Sequence, residues 1–137
     1  MRWDNQKGAA LIEFALVLPL LLILVFGIIE FSLILYNQQV ITNACREGAR
    51  AGIVARETRL NLTDITQVVN NYSQARLVTF GSATSATTTI DNTGGTSFGD
   101  DLRVRVTYSY EFLIFPEFVT GLLGDIDLSS EAVMRYE

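Results

Sequence analysis

Hydrophobic positions are distributed unevenly along the chain. Residues 1–8 are short and polar, and an apolar run begins at Ala9. Residues 14–29 carry no charge, and apolar character resumes after Glu30 as far as Tyr36. A helix needs about 20 apolar residues to cross a hydrocarbon core of about 30 Å. Residues 9–36 therefore predict a transmembrane helix, with length to spare for tilt. Residues 37–44 turn polar without a helix breaker, so the same helix is expected to continue into water as a stalk over 37–58. Within that stalk Ala44, Gly48 and Gly52 recur every fourth position, with Ala55 close to the same stripe. Small residues at this spacing make a flat face on which another backbone can pack. Each interior glycine costs about 1 kcal/mol relative to alanine, which argues for a packing reason. The face is expected to receive either the chain's own globular part or a partner helix.

The remaining pattern is that of a small folded head, residues 59–137. Thr63 and Asp64 read as an N-cap. Ile65, Val68, Val69 and Tyr72 follow at helical spacing, giving a short amphipathic helix to about Ala75. The Ser, Thr and Gly-rich stretch 79–99 predicts a strand over 87–90 and a turn at Asn92-Thr93-Gly94-Gly95, with disorder as the alternative for part of it. Leu102, Val104, Val106, Tyr108 and Tyr110 alternate with Arg103, Arg105, Thr107, Ser109 and Glu111, the mark of a strand with one apolar and one wet face. A further strand of weaker alternation is expected over 126–136. Between these strands, residues 112–123 are too apolar for a simple connection. They are expected either to cover the end of the sheet or to expose a greasy patch to a partner subunit or a membrane. The fold class is thus α+β: a long membrane-spanning helix and stalk carrying a helix-plus-antiparallel-sheet head.

Other readings of the N-terminal run are less economical. A cleaved secretory signal has an apolar core of about 7–15 residues, shorter than this one. A buried core helix apolar on every side could hardly be enclosed by a chain of 137 residues. A plain uncleaved anchor explains the hydrophobicity but not Glu13, which stands among Leu11, Ile12, Phe14 and Ala15. A carboxylate inside a span costs about 2.5–3.5 kcal/mol on insertion scales and marks a functional position by default. Glu30, by contrast, is placed near the far end of the span, where water or headgroups would reach it.

Composition narrows the function classes. There is no histidine, so the commonest general base and imidazole ligand are missing. The single cysteine, Cys45, excludes an intrachain disulfide or a thiolate metal cage and reads as a buried small hydrophobe. The formal net charge of −5 argues against a nucleic-acid partner. Phosphate-loop, dinucleotide-fingerprint and catalytic-triad patterns are not found. Asp91, Asn92, Gly94, Gly95, Asp100 and Asp101 do not follow calcium-loop spacing and read as a solvated turn. No catalytic residue, metal site, cofactor or small-molecule substrate is expected. An enzyme on a helical anchor has no positive feature in its favour.

The string Gly8-Ala9-Ala10-Leu11-Ile12-Glu13-Phe14 resembles the prepilin cleavage motif of the type IV pilin superfamily, in which a peptidase on the cytoplasmic face cuts after the glycine and a glutamate stands fifth after the cut. Pro19 inside the span fits the same pattern. Cutting between Gly8 and Ala9 would create an α-amine about one helical turn from Glu13. That amine, or a neighbouring subunit's, would make the buried carboxylate tolerable and set the register between subunits; Ala9, Glu13 and Phe14 are the expected pairing residues.

Together with Phe26-Gly27-Ile28-Ile29-Glu30-Phe31, Asn43-Ala44-Cys45-Arg46-Glu47-Gly48-Ala49-Arg50-Ala51 and Ala132-Val133-Met134-Arg135-Tyr136-Glu137, these residues resemble the TadE-like family, pseudopilins of the tight-adherence pilus system. Cys45 stands where that family more usually has alanine. The resemblance implies a structural or assembly role in a bacterial inner membrane, as a minor pilin or pseudopilin retained there or incorporated into a surface pilus. The implied partners are a prepilin peptidase, other pilins of the system and the lipid bilayer. The N-terminus is expected inside the cell, although Arg46, Arg50, Arg56 and Arg59 after the span outnumber Arg2 and Lys7 before it. The first of these arginines lies about ten residues beyond Tyr36, on a stretch read as structured helix. The alternative is an uncleaved single-span envelope protein whose outer domain binds a ligand or another protein.

Overall fold

The computed structural model describes residues 3–54, 60–79, 86–112, 121, 124 and 126–136. One helix, α1, runs from Trp3 to Ile53 without interruption, through Pro19. At 1.5 Å per residue it is about 76 Å long. Its two halves meet different surroundings. Up to Ile29 nearly every apolar side chain is exposed, as with Leu16 and Leu20. From Glu30 onward one stripe is buried, passing through Asn37, Val40, Ile41, Ala44, Cys45, Gly48, Ala49 and Gly52. These positions recur at intervals of three and four, the signature of one helical face laid against a core.

The second helix, α2 (Leu62–Gln74), follows. Asn61 caps it: the Asn61 Oδ1 accepts from the Asp64 backbone N–H at 2.8 Å, and Asp64 Oδ2 accepts from the Asn61 N–H at 3.3 Å. This reciprocal capping box corrects the expected cap at Thr63 and Asp64; Asp64 occupies the third helical position and answers the cap instead of forming it. Ile65 and Val69 are buried, and Val68 and Tyr72 are half-buried beside them.

Three antiparallel strands follow in the order β1 (Thr87–Asp91), β2 (Asp101–Tyr110) and β3 (Ile126–Arg135), with β2 central. The turn after β1 is closed by the Gly95 N–H donating to the Asn92 carbonyl at 2.8 Å, with Gly95 at φ 107°, a conformation that favours glycine. In β2 the five residues Leu102, Val104, Val106, Tyr108 and Tyr110 all face inward and are buried, as their alternation requires. On β3 the inward positions opposite them are filled by Met134, Ala132, Ser130, Leu128 and Ile126. Ala132 and Ser130 are small because α1 crosses there, which is why the alternation of β3 is weak in sequence.

The outer face of the sheet is polar. Glu131 receives both Arg103 (3.5 Å) and Arg105 (Nε, 2.9 Å), and Asp101 receives Arg135 at 3.0 Å. Such exposed pairs contribute little to stability; they keep the face wet. The core therefore lies between that sheet's other face and the paired helices α1 and α2. Residues 113–120 and 122–123, nearly all of the apolar connection between β2 and β3, lie outside the described residues. So do Ala55 and Arg56 of the expected stalk end, and Arg59 at the start of the expected head.

Candidate functional site

The candidate cleavage and pairing residues stand on the exposed half of α1. A side chain at Gly8 would meet no neighbour within 4 Å. Ala9, Glu13 and Phe14 are exposed. One helical turn separates Ala9 from Glu13, so both project from the same side of α1. Among the described residues Glu13 has no ion pair or hydrogen bond within its own chain. A carboxylate in an apolar environment needs a counter-charge, a proton or a route to water, and none of the described side chains supplies the first.

The small-residue stripe lies against the chain's own head. Ala44 is fully buried. A Cβ on Gly48 would overlap Val69 Cγ2 and touch Val104 Cγ1 at 3.5 Å; one on Gly52 would overlap Leu102 Cδ2 and sit 2.8 Å from Ile65 Cδ1. Gly48 and Gly52 thus let α2 and β2 approach the helix backbone closely. Just before Gly48 on α1, Cys45 is buried, its thiol donating to the Ser130 carbonyl at 3.2 Å. Burial, the largest influence, pushes its pKa above the ordinary value, so the reactive thiolate is disfavoured at neutral pH.

Two anchoring contacts were not read from the sequence. Asn37, fully buried, donates through Nδ2 to the Val78 carbonyl and accepts through Oδ1 from the Val78 N–H, both at 3.0 Å. It pins the chain leaving α2 to the middle of α1. Higher on the same stripe, Glu30 is 1% exposed, and its Oε1 accepts from the Tyr110 hydroxyl at 2.7 Å. This corrects the expectation that Glu30 is reached by water or headgroups: the end of β2 covers it. Glu30, Asn37, Ala44 and Gly48 do fall on one stripe of the helix, but the stripe alone does not say how far along α1 the head reaches.

The acidic turn offers little to a cation. Asp91 Oδ1 accepts from the Thr93 N–H at 3.0 Å and Asp100 Oδ2 from the Ser97 N–H at 2.8 Å, while Asp101 is engaged by Arg135. The Thr93 N–H is the main reason Asp91 titrates below the usual carboxylate range. Among the described residues no three acidic or sulfur ligands converge.

A continuous helix, apolar and exposed in its first half and buried against a small α+β head in its second, defines a stalk-and-head protein. Its helix is long and apolar enough to cross a membrane. Residues 8–50 match the family model described as TadE-like protein, a structural, pilus-associated family and the one that the motifs of α1 resemble. The match begins at the glycine of the candidate cleavage site and ends before α2. No curated protein and no solved structure matches the chain.

Proposed function

We propose that the chain is a minor pilin or pseudopilin of a tight-adherence, type IV-like pilus. On this reading a prepilin peptidase removes residues 1–8. The first half of α1 then crosses the bacterial inner membrane once, with the N-terminus in the cytoplasm and the head outside. The protein joins other pilins through its helix and carries out no catalysis.

The observation that carries the reading is Glu13. It is exposed on an apolar helix surface, lacks a partner among the described residues, and follows one turn after the residue that cleavage would make the N-terminus. The match of residues 8–50 to the TadE-like family supports the same reading. So does the division of surface along α1, since a helix exposing this much apolar area needs lipid or other helices around it. Arg46 and Arg50 stand on helix beside the head and not in a short loop. Their number therefore weighs less against a cytoplasmic N-terminus than a bare charge count suggests.

A charge-assisted hydrogen bond between Glu13 and an Ala9 amine is worth about 1.5–3 kcal/mol. Glu13→Gln keeps the shape and removes the charge. The variant is expected to reach the membrane at wild-type levels, because a neutral amide is easier to bury than a carboxylate, and to lose co-purification with pilus components. Normal assembly of Glu13→Gln would remove the amine–carboxylate register from the account.

A further inference from the structure

The exposed face of α1 opposite the head does not become polar where the head begins. Among the described residues head contacts start at Glu30, yet the far side of the helix continues apolar for nearly two more turns. Phe31 is 61% exposed, Leu35 50% and Tyr36 47%. Apart from Ser32, exposed positions on that side turn polar only after Tyr36, with Gln39, Asn43 and Arg46.

Of the two polar side chains between Ile28 and Tyr36, Ser32 is exposed but bonded to its own helix, and Glu30 is buried. Ser32 donates its hydroxyl to the Ile28 carbonyl at 2.7 Å, an internal arrangement that a hydroxyl facing lipid requires. Glu30 is turned to the other side and covered, with Tyr110 donating to it.

Lengths separate the two levels. Residues 9–29 rise about 31 Å, the thickness of a hydrocarbon core, about 30 Å. Residues 9–36 rise about 42 Å, the thickness of a bilayer with its headgroup layers, about 40–45 Å. The difference is the stretch where the head already covers one side of the helix and apolar side chains cover the other.

We infer that residues 30–36 of α1 lie within the outer headgroup layer, and that the membrane end of the head, where Tyr110 meets Glu30, is seated in that layer and does not stand above it on a free stalk. The surface that docks is the far face of α1 around Phe31, Leu35 and Tyr36, continuous with the lipid-facing surface below it; the occupant is phospholipid. Tyr36 is the residue type enriched at this boundary. The inference rests on the membrane-spanning reading of residues 9–29.

The test uses the full chain reconstituted in phosphatidylethanolamine–phosphatidylglycerol vesicles. Spin labels are placed singly through Leu20→Cys, Phe31→Cys, Leu35→Cys, Gln39→Cys and Asn43→Cys, each in a Cys45→Ala background. All five labelled positions are exposed, so the labels do not displace core packing; circular dichroism of each labelled protein checks that the fold is kept. Accessibility to oxygen, which partitions into lipid, is compared with accessibility to a water-soluble nickel chelate. The labels at 31 and 35 are expected to favour oxygen, and those at 39 and 43 the chelate, with the crossing between 35 and 39. If 20 favours oxygen while 31 and 35 respond like 39, the head stands clear of the bilayer and the inference fails alone. If 20 also favours the chelate, the span itself is wrong. Shielding of 31 and 35 from both probes would show a second copy on this face and overturn the lipid assignment.

Discussion

At Glu30 and Tyr110 a hydrogen bond of 2.7 Å joins the head to the helix in a buried setting. Removing one partner from a buried pair costs about 1–3 kcal/mol, so Tyr110→Phe is expected to destabilise the head by that amount. The same residue gives a pH signature. Burial first, and then the Glu30 carboxylate, pushes the Tyr110 phenol above its ordinary value. A raised folded-state pKa contributes stability that is fully present below the unfolded value, about 10, and lost as pH rises beyond it. Urea unfolding of wild type and Tyr110→Phe should therefore show a stability gap that is constant to about pH 9 and narrows towards pH 11. A gap independent of pH would mean that the phenol is not held as described. The inward position of Tyr110 was legible from strand alternation. The burial of Glu30 was not, because it depends on β2 running back along α1 until its last residue reaches the exposed apolar half of that helix. Local pattern carries no information about that return.

Among the elements, the stripe of small residues on α1 was visible as a four-residue repeat, and the sequence left two occupants open. In the folded chain α2 and β2 occupy it, through Val69, Ile65, Val104 and Leu102. Gly48→Ala gains helix propensity of about 1 kcal/mol but forces a shift on the β-branched side chain of Val69, and overpacking of this kind costs about 1–3 kcal/mol. The expected net effect is a head destabilised by about 1 kcal/mol, with the denaturation midpoint lowered and the slope unchanged. A stabilised Gly48→Ala would show that α2 sits further from α1 than described. Strands β2 and β3, the turn at Asn92–Gly95 and the amphipathic run of α2 were also legible, because each is set by residues near in sequence. The cap of α2 was misplaced because Asn61, Thr63 and Asp64 all have capping side chains, and the reciprocal bond between Asn61 and Asp64 decides among them. The Asn37–Val78 clamp was hidden for a different reason. An asparagine just past an apolar run reads as the onset of water, and its burial follows from where the chain leaves α2.

Over the whole molecule, the division of labour follows from where apolar surface is left uncovered. The head closes its own core against the second half of α1. The first half keeps its apolar side chains exposed, together with one carboxylate at Glu13. The family match covers that helix, and the proposed function assigns to it both membrane insertion and subunit contact. The proposed subunit contact turns on the chain being cut at Gly8, since cleavage would supply the amine that answers Glu13. The decisive measurement is the intact mass and N-terminal sequence of the protein extracted from the membranes of its own host. The account predicts a chain beginning at Ala9, and accumulation of the uncut precursor when Gly8 is replaced by a bulky residue. A mature protein that begins at Met1, with the Gly8 variant indistinguishable from wild type, would contradict it and leave an uncleaved single-span envelope protein in its place.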